Sequence, residues 1–319
     1  MNITVISPGP LSTVQDAGRF GYMNTGFSPG GAMDTYSMRI ANLLVGNAPE
    51  DGVIEMTLMG MSVSFDGTSV IALTGADMSP KLNGAEIPMY TAVEVKNGDT
   101  LSLGFSTVGM RTYLAVAGGF DLPLVMGSMS TNLKCAIGGF NGRKLQAGDV
   151  IPLRHSISLS VIGRRSVTPK NDYKNEIKLR VILGPQDDYF TDSGIKDFLS
   201  SEYKVSGKSD RMGIRLEGEA VENKNGVDII SDGIATGSVQ IPSSGTPIIM
   251  MADRQTTGGY AKIATVISSD LKLIAQARAG DRIKFEAVNE KTALKAIRKE
   301  KRELAFMQYR FNFAIYKEK

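Results

Sequence analysis

Apolar residues along this chain come in short runs divided by polar, glycine-punctuated stretches. Residues 248–252, Ile-Ile-Met-Met-Ala, are long enough for one buried strand and too short for an ordinary helix. The run stops at Asp253-Arg254-Gln255-Thr256-Thr257 and the pair Gly258-Gly259, and a second apolar segment follows at 263–267. This order predicts a polar loop with a glycine turn, held at both ends by buried strands, the usual setting for binding groups. From residue 53 to 153 the text reads as strand after strand: 63–65, 70–74, 92–95, 101–105, 112–116 and 150–153. Between them stand hairpin signals, Asp66-Gly67, Asn83-Gly84, Asn97-Gly98-Asp99 and Asn141-Gly142, at a spacing that suits a barrel or sandwich. Residues 1–6 alternate and open a sheet, which Pro8-Gly9-Pro10 breaks; 179–183 starts another strand. One pattern recurs three times, Gly-Asp followed by an alternating run, at Gly98-Asp99, Gly148-Asp149 and Gly280-Asp281. It reads as a rim turn entering a closing strand, in a β unit used twice.

Helical spacing shows in two places. Met38, Ala41 and Val45, with Ile40 and Leu44 beside them, predict a helix over 35–45 with Asp34 as its N-cap. Residues 289–310 are basic, with Leu294, Ile297 and Leu304 near helical spacing, and predict an amphipathic helix that packs on the body or on a partner, after which Phe311, Phe313 and Ile315 alternate. The chain is therefore expected to be all-β, with two β units, a few short helices and a C-terminal helix. The expected boundaries are 1–165, 175–288 and 289–319, with the charged stretch 156–178, including Pro169 and Asn171-Asp172, as the joint.

Two further stretches, 11–22 and 26–34, read as polar loops rich in glycine, able to bring backbone N–H groups close to an anion ahead of a helix N-terminus. No P-loop and no dinucleotide fingerprint is present. Composition narrows the chemistry. Lys and Arg number 36 against 33 Asp and Glu in 319 residues, too even a balance for a nucleic-acid protein. The single cysteine, Cys135, forms no intramolecular disulfide or Cys-based zinc site, and the single histidine, His155, leaves little room for a Ser-His-Asp or metal centre. No metal site is expected. No signal peptide or bilayer-length apolar run is visible, so a soluble, cytoplasmic protein is expected. Glycine is plentiful at 35 residues, but apolar residues make up 42% of the chain, which fits many tight turns and not disorder.

Taken together, the loops resemble the KipA-like family, the "subunit 2" group related to allophanate hydrolase and urea carboxylase sequences. The residues that carry the resemblance include Thr13-Val14-Gln15-Asp16-x-Gly18-Arg19-x-Gly21-Tyr22, Gly31-Ala32-Met33-Asp34, Ala72-Leu73-Thr74-Gly75-Ala76-Asp77, Gly127-Ser128-x-Ser130-Thr131 and Gly138-Gly139-x-x-Gly142-Arg143. In the second half they are Gly184-Pro185-Gln186-x-Asp188, Ser209-Asp210-Arg211-Met212-Gly213 and Asp253-x-Gln255-Thr256-Thr257-Gly258-Gly259-Tyr260. The resemblance spans about residues 8–285. Ala261, where the family often has proline, and the tail after Val288 depart from it.

What the resemblance implies is a cyclophilin-like β-barrel protein that works with a KipI-like subunit. In the ATP-dependent 5-oxoprolinase branch, a third, lactam-utilisation subunit joins and 5-oxoproline is hydrolysed to glutamate. In the urea carboxylase branch a similar module transfers a carboxyl group from biotin to urea. In a third, regulatory branch a KipA-type protein antagonises its KipI-like partner without catalysis. The two chemistries share a carbonyl oxygen that must carry growing negative charge, for which aimed donors are the expected device. The implied catalytic candidates are Asp16, Arg19, Asp210, Arg211, Asp253 and Lys262, and the substrate-binding candidates are Gln15, Asp34, Arg143, Gln186, Ser209, Gln255 and Thr256. Asp16 and Asp253 are candidate acid/base or metal-orienting groups, and the arginines candidate anion clamps. ATP is the expected cofactor of the first branch and biotin of the second. A chain of this size without a biotin-carboxylase region suits the multi-subunit hydrolase, and the loops are expected to share one polar cavity.

Overall fold

The computed structural model describes residues 1–168 and 173–317, with side chains as far as 311. Pro169, Asn171 and Asp172 of the expected joint lie outside the described residues. Contacts divide the chain into two units: Met1–Arg19, Gly30–Tyr173 and Arg302–Lys319 form the first, and Phe20–Pro29 with Lys174–Lys301 form the second.

The first unit contains β1 (Asn2–Ser7), β2 (Ser12–Gln15), β3 (Val53–Thr57), β4 (Ser62–Phe65), β5 (Ser69–Gly75), β6 (Lys81–Leu82), β7 (Ala85–Glu86), β8 (Val93–Val95), β9 (Thr100–Ser102), β10 (Arg111–Val116) and β11 (Val150–Pro152), with helices α1 (Thr35–Val45) and α2 (Leu159–Ile162). The strands make two sheets, ordered β11-β1-β4-β9-β6-β7 and β2-β3-β10-β5-β8. Ile3, Val63 and Ile151 of the first meet Val14, Ile54, Leu73 and Leu114 of the second in one core. The other face of the second sheet is covered by α1, whose Met38, Ala41 and Val45 pack with Val70, Ala72, Tyr113 and Ala115. Alternate residues of β5 and β10 thus serve two cores, which is why both strands are buried throughout and read as unbroken apolar runs.

Helix α1 has the predicted limits. The Asp34 carboxylate accepts from Ser37 N at 3.0 Å and Ser37 Oγ at 2.6 Å, and Gly46 closes the helix in the left-handed region. The expectation of a loop over 11–22 is corrected at its start, because β2 pairs there with β3. All four β2 residues are buried, three of them polar with their hydrogen bonds supplied internally: Ser12 Oγ donates to Pro8 O and Gln15 Nε2 to Thr13 Oγ1 and Thr131 O.

The second unit contains β12 (Glu176–Leu183), α3 (Asp192–Ser200), β13 (Tyr203–Val205), β14 (Gly213–Glu217), β15 (Asp228–Gly233), β16 (Ser238–Gln240), β17 (Ile248–Met250), β18 (Thr257–Tyr260), β19 (Lys262–Val266), α4 (Leu271–Ala275) and β20 (Arg282–Ala287), and begins α5 (Glu290–Lys317). Seven strands close a barrel in the order β12-β19-β16-β17-β14-β13-β20, the parallel β12–β20 pair completing the ring. Phe198 from α3 stacks on Phe285 of β20 at 4.4 Å between ring centres. Outside the barrel, β15 and β18 form a separate two-stranded ribbon. Gly258-Gly259, expected as a turn, lies inside β18. The tail is also corrected: α5 runs on to Lys317 where alternation was expected after residue 310, and Leu304, Met307 and Phe311 pack into the α1 core of the first unit.

The three Gly-Asp sites are one structure built three times. Gly98, Gly148 and Gly280 have φ of 87°, 87° and 97°. The following Asp N–H donates to the carbonyl three residues back, closing a type II-like turn. Each Asp carboxylate also accepts the N–H of that first residue, Lys96 at 2.7 Å, Gln146 at 2.8 Å and Arg278 at 2.7 Å. Each Gly N–H then donates to, and each Asp carbonyl accepts from, one residue of the neighbouring strand: Phe65, Val5 and Val205. The turn therefore sets the register with which β9, β11 and β20 enter their sheets. No heavy atom stands within 4 Å of a side-chain carbon added at Gly98 or Gly148, so substitution there costs only the backbone conformation. Gly98→Ala and Gly148→Ala should each destabilise the protein by about 1–2 kcal/mol in urea unfolding; midpoints equal to the parent's would contradict this account of the turn.

Candidate functional site

In the first unit the predicted residues gather around Asp16. Its carboxylate accepts from Gly18 N at 2.8 Å, Ser128 Oγ at 2.6 Å, Ser130 Oγ at 2.5 Å and Met129 N at 2.6 Å. Arg19, 1% exposed, donates Nη2 to Ser130 O at 2.5 Å, and Gln15 Nε2 reaches Thr131 O at 3.1 Å. The end of β2 is thus zipped to the loop 127–131. Gly138 and Gly139 complete the cluster, because a side-chain carbon would come within 2.2 Å of Ser130 O at the first and 1.9 Å of Thr131 Oγ1 at the second. Ser128 and Ser130 carry as much of this arrangement as the residues singled out, and their spacing to Asp16, more than a hundred residues away, gave no sign of it.

Asp34 and Arg143 lie elsewhere in that unit. Asp34 is fully buried under α1, its N–H donating to Tyr113 Oη at 2.8 Å; Tyr113 in turn donates to Glu55 at 2.9 Å. Burial foremost, then the charges of Glu55 and Asp34, push the Tyr113 hydroxyl well above the ordinary tyrosine range. Arg143 forms a two-point pair with Asp149, both bonds 2.8 Å, and covers the Phe140 ring. Hydrogen bonding to Arg143 holds the Asp149 carboxyl below its usual range. Arg143 thus braces the second rim turn.

In the second unit two groups form. Arg211, 6% exposed, bonds Asp253 through Nε at 2.8 Å and Nη2 at 3.2 Å, while Asp253 N donates to Arg211 O at 2.9 Å. The pair joins the loop before β14 to the loop after β17. Ser209 and Asp210 shape the first of these: Ser209 Oγ accepts from Arg215 N at 3.0 Å, and the Asp210 carboxylate accepts from Met212 N and Gly213 N. The Ser209 and Asp210 side chains serve their own turn.

The other group centres on Lys262. Only 2% of its side chain is exposed, and Nζ donates to Asp232 Oδ2 at 2.9 Å. Gln186 grips the lysine backbone on both sides, Oε1 accepting from Lys262 N at 3.1 Å and Gln186 N donating to Lys262 O at 3.1 Å, and its Nε2 reaches Asp232 at 3.4 Å. Hydrogen bonding to Lys262 foremost, helped by Gly233 N–H, lowers the Asp232 carboxyl. Gln240, buried and paired in register with Lys262, stands on the adjacent strand. A side-chain carbon at Gly258 would lie 3.0 Å from Gln240 Nε2 and 3.5 Å from Gln255 Nε2, so Gln255 belongs to the same neighbourhood. Thr256 contributes its carbonyl, which accepts from Ile234 N at 3.0 Å. A buried ammonium, a carboxylate that holds it and a set of amides can orient a polar carbonyl compound and stabilise charge on its oxygen. Sequence reasoning missed Asp232 and Gln240, which sit in unremarkable strand text.

A surface groove lined by Glu176, Lys178, Glu202, Arg282 and Lys284 competes poorly for the role, since its charges are spent on one another in the pairs Arg282–Glu176, Arg282–Glu202 and Lys284–Glu202.

Comparison with known proteins gives the context of these loops. Residues 25–287 match the family model described as carboxyltransferase domain, subdomain A and B. A 5-oxoprolinase subunit of Escherichia coli is 38% identical over 312 residues, 97% of this chain and 99% of the relative. The urea amidolyase of Saccharomyces cerevisiae is 35% identical over 89% of this chain, but over only 16% of its own length. Among solved structures, Kluyveromyces lactis urea carboxylase superposes with a TM-score of 0.89 at 32% identity, covering 96% of this chain and 29% of that one.

Removing Arg211 leaves a mostly buried carboxylate uncompensated. Arg211→Ala should cost about 3 kcal/mol in urea unfolding, and Asp253→Asn, which keeps one acceptor, less than half of that. Equal and negligible losses would show that the pair does not tie the two loops.

Proposed function

The chain belongs to the carboxyltransferase-domain family, subdomains A and B, and on that footing we propose that it is a subunit of an ATP-dependent 5-oxoprolinase. With KipI-like and lactam-utilisation subunits it converts 5-oxo-L-proline to L-glutamate in the cytoplasm, one ATP and two waters being consumed per lactam to give glutamate, ADP and phosphate. The observation that carries this reading is the end-to-end likeness to the Escherichia coli protein, 97% of one chain against 99% of the other, where the urea amidolyase likeness is confined to a small part of that larger protein.

The chemistry of the Lys262 group suits the task. Opening a lactam requires its carbonyl oxygen to take on negative charge, and a buried ammonium is strongest there because little water screens it. Lys262 would face that oxygen, Gln240 and Gln255 would orient the ring, and Asp232 with Gln186 would hold the lysine in place. The Arg211–Asp253 pair would fix the loop that carries Gln255. Nothing in this chain has the glycine-lysine phosphate loop of common nucleotide sites, so the ATP step is assigned to the assembly and to no residue here.

A second reading rests on the urea carboxylase likeness: carboxyl transfer from biotin, which also develops charge on an amide-type oxygen. Reconstitution separates the two. The purified chain with both partners should form glutamate and ADP in equal amounts from 5-oxoproline, with no dependence on a biotinylated protein and no inhibition by avidin. Biotin-dependent carboxylation of urea without glutamate formation would favour the transferase, and a tight assembly without any turnover would favour a regulatory protein.

A further inference from the structure

The second unit buries a second cation near the first. Arg254 is 4% exposed, and its Nε donates to Ile234 O at 2.8 Å and its Nη1 to Met251 O at 3.3 Å. Ile234 stands two residues from Asp232, the partner of Lys262, so a single short run anchors both cations at points no more than about 7 Å apart along the backbone. Among the described residues, however, Arg254 has no carboxylate within ion-pair reach, and its Nη2 makes no hydrogen bond.

Three other buried arginines are held differently. Arg211 has Asp253, and Arg111 faces Glu55 at 3.9 Å. Arg165 also lacks a carboxylate among the described residues, but it spends all three nitrogens on carbonyls, those of Ile162, Leu43 and Phe311. Arg254 spends two and keeps one. Burial lowers its pKa, the mark of a guanidinium that gains from a nearby anion. Among the described residues Lys262 and Arg254 together have only Asp232 between them, and that carboxylate is more than half exposed.

We propose that Arg254 is an anion-binding residue whose Nη2 receives a carboxylate; resting on the oxoprolinase reading, this is the carboxylate of 5-oxoproline, with the lactam carbonyl turned toward Lys262. A five-membered lactam acid carries the two groups on either side of its ring nitrogen, which suits two cations anchored two residues apart. A free carboxylate is then the feature that selects the substrate, because a lactam without one leaves the buried Arg254 uncompensated.

The guanidinium Nε–H, bonded to Ile234 O, supplies a direct probe. In 15N-labelled protein its side-chain signal, assigned by its loss in Arg254→Lys, is followed during titration with 5-oxo-L-proline, 2-pyrrolidinone, acetate and bicarbonate. The proposal expects saturable shifts with 5-oxoproline and none with 2-pyrrolidinone. In the full assembly, Arg254→Lys should raise the KM for 5-oxoproline about tenfold with a much smaller change in kcat. Shifts with acetate or bicarbonate but not with 5-oxoproline would keep the anion site and sink the oxoproline reading. Equal shifts with 2-pyrrolidinone, or no shift with any anion, would overturn the proposal.

Discussion

A lysine ammonium withdrawn from water must be held by something, and in this barrel the holder comes from outside the wall. Lys262 begins β19 with its side chain 2% exposed, and its carboxylate partner, Asp232, belongs to the β15–β18 ribbon. Burying a charge is tolerable only when it is paired and hydrogen-bonded. The ribbon is therefore tied to the barrel by an ion pair, and Gln186 clasps the same residue on both its N–H and its carbonyl. Three segments distant in sequence meet at this one lysine. That convergence, with Arg254 anchored on Ile234 two residues from Asp232, concentrates charged chemistry at this place in the second unit.

The first unit applies the same rule with the sign reversed. Asp16 is 8% exposed and takes four donors, two serine hydroxyls and two backbone N–H groups, with no cation bonded to its oxygens among the described residues. A carboxylate so supplied acts as a clamp on the loop 127–131. Its neighbours Gly138 and Gly139 are needed because backbone and side-chain oxygens occupy the space where a side chain would begin.

How much of this was legible differs by element. The α1 helix could be read to the residue, because its cap, its apolar spacing and its glycine stop are all local. The Gly-Asp turns were legible as turns, and their threefold identity follows from chemistry that fits within four residues. The all-β character and the helix over the tail were legible for the same reason. The strand Ser12–Gln15 was not, because a strand buried on both faces keeps no alternation and its polar residues looked like a loop. Gly258 and Gly259 misled in the opposite way: glycine signals a turn locally, but here both lie within a strand, where a side-chain carbon at Gly258 would crowd the ends of Ile234 and Gln240. The family resemblance pointed to Lys262, Gln186 and Asp253, yet Asp232 and Arg254 acquire meaning only from partners 20 or 30 residues away. Arg143, Ser209 and Asp210 carry the residue types expected of a site and are engaged in shaping turns, a distinction that composition and spacing do not encode.

The account depends most on the claim that the buried ammonium of Lys262 acts on the carbonyl oxygen and is more than part of the barrel's structure. Lys262→Met preserves much of the side chain's volume and removes the charge, and Asp232→Asn in the same protein relieves the carboxylate left behind. Steady-state glutamate formation by the assembly containing this double variant, with barrel integrity verified by thermal unfolding, is the decisive measurement. The account predicts a fall in kcat of at least about a hundredfold with the barrel intact. Turnover within a few-fold of the parent would contradict it.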